Sequence, residues 1–234
     1  MEKEKSSIIS AAIIAVGIIC LGLFLKAGID NFVNRDRKVT VKGLAEMEVP
    51  ADKVTWPIVT KETGNDLQLL YSTIKTKQDA IIRFLKTNGI AESDIMVNAP
   101  RVNDRDANDY SSERSTERYN VTSVITVSTA DVDKVSALIV RQGELLREGI
   151  AIVDSYDSSV NYELTSFKEI KPKMMDEAIE NAKKTAVQFA EQSGLKLGKI
   201  DTADQGYFSI DDRDSNTPQI KKLRVVTTIN YSLK

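Results

Sequence analysis

The chain is 234 residues long, enough for one large or two small domains, and its 41% hydrophobic and 28% charged residues exclude disorder or fibrous repeats for its bulk. With 32 Lys+Arg against 34 Asp+Glu the net charge is -2, which offers nucleic acid no basic footprint. There is no histidine, so Ser-His-Asp and Cys-His nucleophiles, imidazole metal ligands and the usual proton switch near neutral pH are all excluded.

From Ile8 to Leu25 the sequence IISAAIIAVGIICLGLFL carries no charge, between Lys3 and Lys5 on one side and Lys26 on the other. At about 1.5 Å per residue this run is long enough for one crossing of a hydrocarbon core of about 30 Å. A buried core helix would show a polar face, and this run offers only Ser10. Residues 1-28 are therefore expected to be a membrane anchor or uncleaved signal segment, with residues 8-25 in the membrane. The run is longer than a signal peptide's apolar region, and Leu23 to Gly28 hold no Ala-x-Ala pattern, although Ala27 is a poor cleavage position. Cys20, the only cysteine, follows Ile19 where lipid modification wants a small residue; it reads as an apolar residue of the span and allows no intrachain disulfide. Lys3 and Lys5 before the span, against Lys26, Arg35, Arg37 and Lys38 after it, mildly oppose an exported carboxyl end.

A polar linker over 29-37 leads into a region over 38-234. Val39, Val41, Gly43, Ala45, Met47 and Val49 share one face of an expected strand, and Val54, Trp56 and Ile58 one face of the next. Pro50-Ala51-Asp52 reads as the turn of a hairpin between them, and Pro57 places the second strand at an edge or bulge. A helix capped by Asn65 or Asp66 carries Leu67, Leu70, Tyr71, Ile74, Ile81 and Leu85 and stops near Gly89. Ile95 and Val97 open a strand, Asn103 to Arg114 lack apolar periodicity and read as a loop, and Tyr119, Val121, Ile125 and Val127 alternate again. A second helix, capped by Asp131 or Asp133, carries Val132, Val135, Leu138, Ile139, Leu145 and Leu146 and ends before Gly149. Strands follow at Ile150 to Val153 and Val160 to Leu164. A third helix has Pro172 in its first turn, a stripe of Met175, Ile179, Ala182, Ala186 and Phe189, a Glu180/Lys184 pair, and Gly194 as its stop. Leu223, Val225, Thr227, Ile229, Tyr231 and Leu233 close the chain as a strand that is either an open edge or central. The pattern predicts an α+β fold of antiparallel sheets with about three packed helices, preceded by one N-terminal transmembrane helix.

No catalytic, cofactor-binding or metal-binding residue is singled out. Asp212-x-Asp214-x-Asn216 and Asp104-x-Asp106-x-Asn108 resemble the opening of a calcium loop, but the sixth and twelfth positions hold Thr217 and Leu223 in the first and Asp109 and Ser115 in the second, so both read as solvated turns. There is no phosphate-cradling glycine loop and no cysteine-pair metal site. Asn120-Val121-Thr122 and Asn230-Tyr231-Ser232 match the glycosylation pattern inside expected strands and read as unmodified. Trp56, Tyr119, Tyr162 and Tyr231 sit on strand faces, where packing is the default.

Three stretches carry a resemblance: KETGNDLQLLYSTIKTKQDAIIRFLKTNGIAESDIMV from Lys61, RYNVTSVITVSTADVDKVSALI from Arg118, and DEAIENAKKTAVQFAEQSGLKLGKI from Asp176. In this order they resemble the SIMPL-domain family of bacterial envelope proteins, over about Val39 to Lys234. The resemblance implies an exported α+β protein without known catalytic residues, in the periplasm or at the envelope and often oligomeric or stress-related. It carries over no active-site residue. The long apolar segment of this chain departs from many members. Two functions are therefore expected in competition. One is a non-enzymatic protein of the inner membrane, anchored with its main domain in the periplasm and acting as a homo-oligomer or with envelope partners. The other is an exported enzyme or small-ligand binder with a pocket between sheet and helices.

Overall fold

In the computed structural model, which describes residues 14–29, 37–108, 116–154 and 158–234, the first alternation is a strand, β1 (Lys38–Pro50). Val41, Gly43 and Ala45 are buried on one face while Lys42, Leu44 and Glu46 are exposed on the other, as period two requires. β2 (Lys53–Gly64) follows after two residues, but the two strands do not form the expected hairpin. The Ala51 N–H donates to Gln219 O at 2.8 Å and the Asp52 N–H to Glu163 O at 3.0 Å, so the joint sends the chain from one sheet into another.

The remaining elements are helix α1 (Leu67–Thr87), β3 (Ile95–Val97), β4 (Arg101–Asp104), α2 (Arg105–Asn108), β5 (Tyr119–Thr129), α3 (Val132–Arg141), α4 (Gly143–Arg147), β6 (Asn161–Glu163), α5 (Phe167–Gln192), β7 (Leu197–Asp204), β8 (Phe208–Asp212) and β9 (Ile220–Leu233). One sheet has the order β1-β9-β7, with β8 also on β9; the other has the order β3-β5-β2-β6, with β4 also on β5. β5 runs antiparallel to β2, β3 and β4, and β7 antiparallel to β9. The fold is α+β with antiparallel sheets, and the described residues of the folded region hold five α-helices where about three are expected.

The chain divides into two compact units. The first is Met1–Met47, Ile170–Ile210 and Leu223–Lys234; the second is Glu48–Glu169 and Asp211–Lys222. The core of the second gathers Val54, Trp56 and Ile58 of β2, Ile81 and Leu85 of α1, Ile125 and Val127 of β5, Val135 and Leu138 of α3, and Leu145 of α4. Each fully buried Ile or Leu there contributes about 1.5–3 kcal/mol relative to exposure. Asp66 is the N-cap of α1, its carboxylate accepting from the N–H groups of Gln68 and Leu69 at 2.8 and 3.1 Å, while Asn65 instead accepts from the Arg118 N–H. The buried stripe of α1 is Leu70, Ile74, Gln78, Ile81, Phe84 and Leu85; Tyr71 and Leu67, expected on it, are exposed. Gln78 bonds Ser123 Oγ at 2.9 Å, which satisfies a buried amide.

In the first unit Ala182 and Ala186 of α5 pack with Val41, Ile229 and Tyr231. The buried stripe of α5 is Met174, Ala178, Ala182, Ala186 and Ala190; Ala182 and Ala186 lie on it as expected, whereas Met174, Ala178 and Ala190 take the places expected for their neighbours Met175, Ile179 and Phe189, and Ile179 and Phe189 are exposed. Gly43 explains the alanines. A Cβ there would lie 1.9 Å from Ala178 O and 2.7 Å from Ala182 N, so the backbones of β1 and α5 approach too closely for larger side chains. The helix starts at Phe167, which puts Pro172 beyond the first turn, and Gly194 ends it with φ +66.

Other expectations are also corrected. Asn103 and Asp104 belong to β4 and Arg105 to Asn108 form α2, and the rest of that loop, 109–114, lies outside the described residues. The second helix is two helices, broken at Gln142, and Ile150 to Val153 are not a strand, although the Val153 N–H reaches Val59 O at 2.8 Å. Of the two readings open for the last strand, the structure shows the central one: β9 lies between β1 and β7. Of the expected membrane span 8-25, residues 8–13 lie outside the described residues. Residues 14–29 are helical, and among the described residues no helix is long and apolar enough to cross a membrane.

Candidate polar cleft

The second unit holds a cleft of about 410 Å³ lined by Asp52, Lys53, Asp94, Ser128, Thr129, Ala130 and Thr165. The residues come together because four chain segments end there: the β1–β2 joint, the turn before β3, the end of β5, and the approach to α5. Asp52 is the anchor. Its Oδ1 accepts from the Thr165 N–H at 2.6 Å and the Thr165 hydroxyl at 3.0 Å, and its Oδ2 from the Ser166 N–H at 2.7 Å. Burial works to raise its pKa, but the hydrogen bonds from Ser166 and Thr165 outweigh it and bring the carboxyl down to about 2.

The other groups are similarly engaged. Lys53 pairs with Glu163 at 3.3 Å, Asp94 accepts from the Ser93 hydroxyl at 3.1 Å, Thr129 Oγ1 accepts from the Asp131 N–H at 3.3 Å, and Ser128 Oγ faces Thr55 Oγ1 at 3.5 Å. A general base works best with a pKa near the working pH, and a carboxylate held at about 2 is far too weak to draw a proton from the Thr165 hydroxyl beside it. The arrangement suits hydrogen bonding to a small polar molecule. No sequence motif marks this cleft; its one signal in the chain is Asp52, within the turn chemistry of Pro50-Ala51-Asp52.

The acidic motifs have structural work. Asp212 pairs with Lys221, whose side chain lies on the buried face of β9, and Asp214 accepts from the N–H groups of Asn216 and Thr217, both at 2.9 Å. Asp104 takes a two-pronged bond from Arg118, Nε at 3.0 Å to Oδ1 and Nη2 at 2.7 Å to Oδ2; the side-chain hydrogen bond from Arg118 lowers its pKa. Arg118 also stacks 4.9 Å from the Tyr119 ring centroid. Among the described residues no group of three or more His, Cys, Asp or Glu is placed to hold a metal ion. Asn120 sits within β5 between Thr63 and Asn103, and its Oδ1 is buried. A second hollow lies along the charged flank of α5, where Glu180 and Lys184 pair with each other at 2.8 Å.

No curated protein matches the chain. The family model described as SIMPL, protein of unknown function (DUF541), matches residues 39–227, which takes in nearly all of β1 to β9. The chain therefore belongs to the SIMPL family.

Proposed function

We propose that this protein is a non-enzymatic component of the bacterial envelope, held in the inner membrane by residues 8-25, with its folded region on the periplasmic side, and that it works by associating with itself or with envelope partners. The observation that carries this reading is the helix over residues 14–29. Ile14, Val16, Ile18, Ile19, Leu21, Leu23, Phe24, Leu25 and Ile29 are 58–78% exposed around its whole circumference, and no described residue covers them. A helix that is apolar all round belongs in a bilayer or in a core, and this one continues the uncharged run from Ile8. Membership of the SIMPL family supports the envelope assignment, and the low pKa of Asp52 argues against proton chemistry in the cleft.

The test is extraction of membranes containing the full chain with alkaline carbonate, together with mass analysis of its amino terminus. The reading predicts that the chain stays with the membrane pellet and keeps Ile8 to Leu25. Release into the supernatant, or a mature amino terminus beyond Ala27, contradicts it. The cleft favours a second reading, a binder of small polar molecules; a rise in melting temperature with a simple sugar or amino acid would support it.

A further inference from the structure

β1 pairs with β9 through its odd-numbered residues. Arg37 O accepts the Leu233 N–H at 2.8 Å, and the Ala51 N–H donates to Gln219 O at 2.8 Å. In an antiparallel ladder the residues between then turn their N–H and C=O groups the other way. Lys38, Thr40, Lys42, Leu44, Glu46 and Glu48 therefore present their backbone groups at the outer edge of β1, and among the described residues no other strand pairs there. The Asn181 side chain shows the direction: its Nδ2 reaches round to Leu44 O at 2.8 Å and uses one of the two lone pairs of that carbonyl. Pro50, with no N–H, ends the edge.

The side chains along this edge are ordered by charge. Lys38 and Lys42 occupy its first half, Glu46 and Glu48 its second, and Leu44, 42% exposed, lies between. Lys38 is engaged by Asp201 and Glu46 by Arg224, whereas Lys42 is exposed and makes no ion pair among the described residues. Laid parallel and in register, two such strands oppose lysine to lysine and glutamate to glutamate. Laid antiparallel about Leu44, they set Lys42 of each against Glu46 of the other and Leu44 against Leu44, all on one face. We propose that two copies of this chain pair antiparallel through the outer edges of β1, with Leu44 on the twofold axis. The proposal rests on the self-association in the proposed function and names its surface.

The experiment is sedimentation equilibrium of the full chain in mild detergent. Lys42→Glu, which breaks no ion pair among the described residues, and Glu46→Lys each place like charges opposite one another twice in the pair. Each is expected to weaken association about tenfold or more. The double variant Lys42→Glu/Glu46→Lys restores the opposite-sign pairs and is expected to return association to the wild-type range. In a Cys20→Ser background, Leu44→Cys should cross-link to itself with a short bismaleimide and Tyr207→Cys should not. Circular dichroism checks that Glu46→Lys, which loses its Arg224 partner, stays folded; Lys42→Glu carries the test if it does not. An oligomer indifferent to these changes, or single variants that the double variant fails to rescue, overturns the β1 surface while leaving self-association in place. A wild-type monomer at tens of micromolar overturns self-association itself.

Discussion

Gly43 is fixed by what lies against it. Of the three atoms nearest to an added Cβ, Ala178 O and Ala182 N are backbone and cannot rotate away, and the third is the Ala182 Cβ. Gly43→Ala must push α5 off β1 and is expected to destabilise the protein by about 1–3 kcal/mol in urea unfolding, as overpacking does, with Gly43→Val worse. Gly143→Ala, with nothing near the added methyl, serves as the control and should change stability by less than about 0.5 kcal/mol. Asp52 is the other residue whose role is readable in full. Its carboxylate satisfies two N–H groups just ahead of α5, so Asp52→Ala is expected to cost about 1–2 kcal/mol at neutral pH. Because the folded pKa is depressed from 3.8 to about 2, this stabilisation is present above pH 4 and is lost as pH falls toward 2. Unfolding curves of wild type and variant should therefore converge at about pH 2; a deficit that persists there would contradict the assignment.

Elements whose residues alternate between one core face and one water face could be read from the sequence. The buried residues of β1 and β9 are odd-numbered, as the period-two pattern requires, and they include one lysine, Lys221, which pairs with Asp212 from β8. What could not be read was partnership. Ala51-Asp52 has turn chemistry, yet the N–H groups of these residues find Gln219 and Glu163, over a hundred residues away, so the chain changes sheets where a hairpin looked natural. On α5 the pattern gives Ala182 and Ala186 correctly but assigns Ile179 and Phe189 to the core by size, whereas close approach to Gly43 reserves that stripe for alanine. Pro57 was read better: β6 pairs β2 only through Lys53–Thr55, and the ladder stops two residues before the residue that has no N–H to extend it. The central place of β9 yields a further expectation. Thr228 faces Asp204 across the β7–β9 ladder, so Thr228→Pro should remove an interior ladder bond and unfold the first unit, costing about 3 kcal/mol or more. Thermal melts followed by circular dichroism would show it; a fully folded variant with an unchanged melting temperature would mean that β9 tolerates an edge residue.

At the scale of the whole chain, the apolar start differs from the two-unit region behind it in what it buries. Two cores, one built on β2, β5 and α1 and the other on β1, β9 and α5, bury their own apolar faces in water, whereas the helix over residues 14–29 buries none of its own. In the proposed function this helix fixes the chain in a membrane and leaves the two units outside the cytoplasm. Tyr207, 97% exposed in the turn between β7 and β8, is the natural reporter. With Cys20→Ser removing the only other thiol, Tyr207→Cys should react with a membrane-impermeant maleimide in intact spheroplasts as fully as after lysis, on a chain that sediments with the membranes. Labelling that appears only after lysis, or a labelled chain that remains in the soluble fraction, would contradict the account.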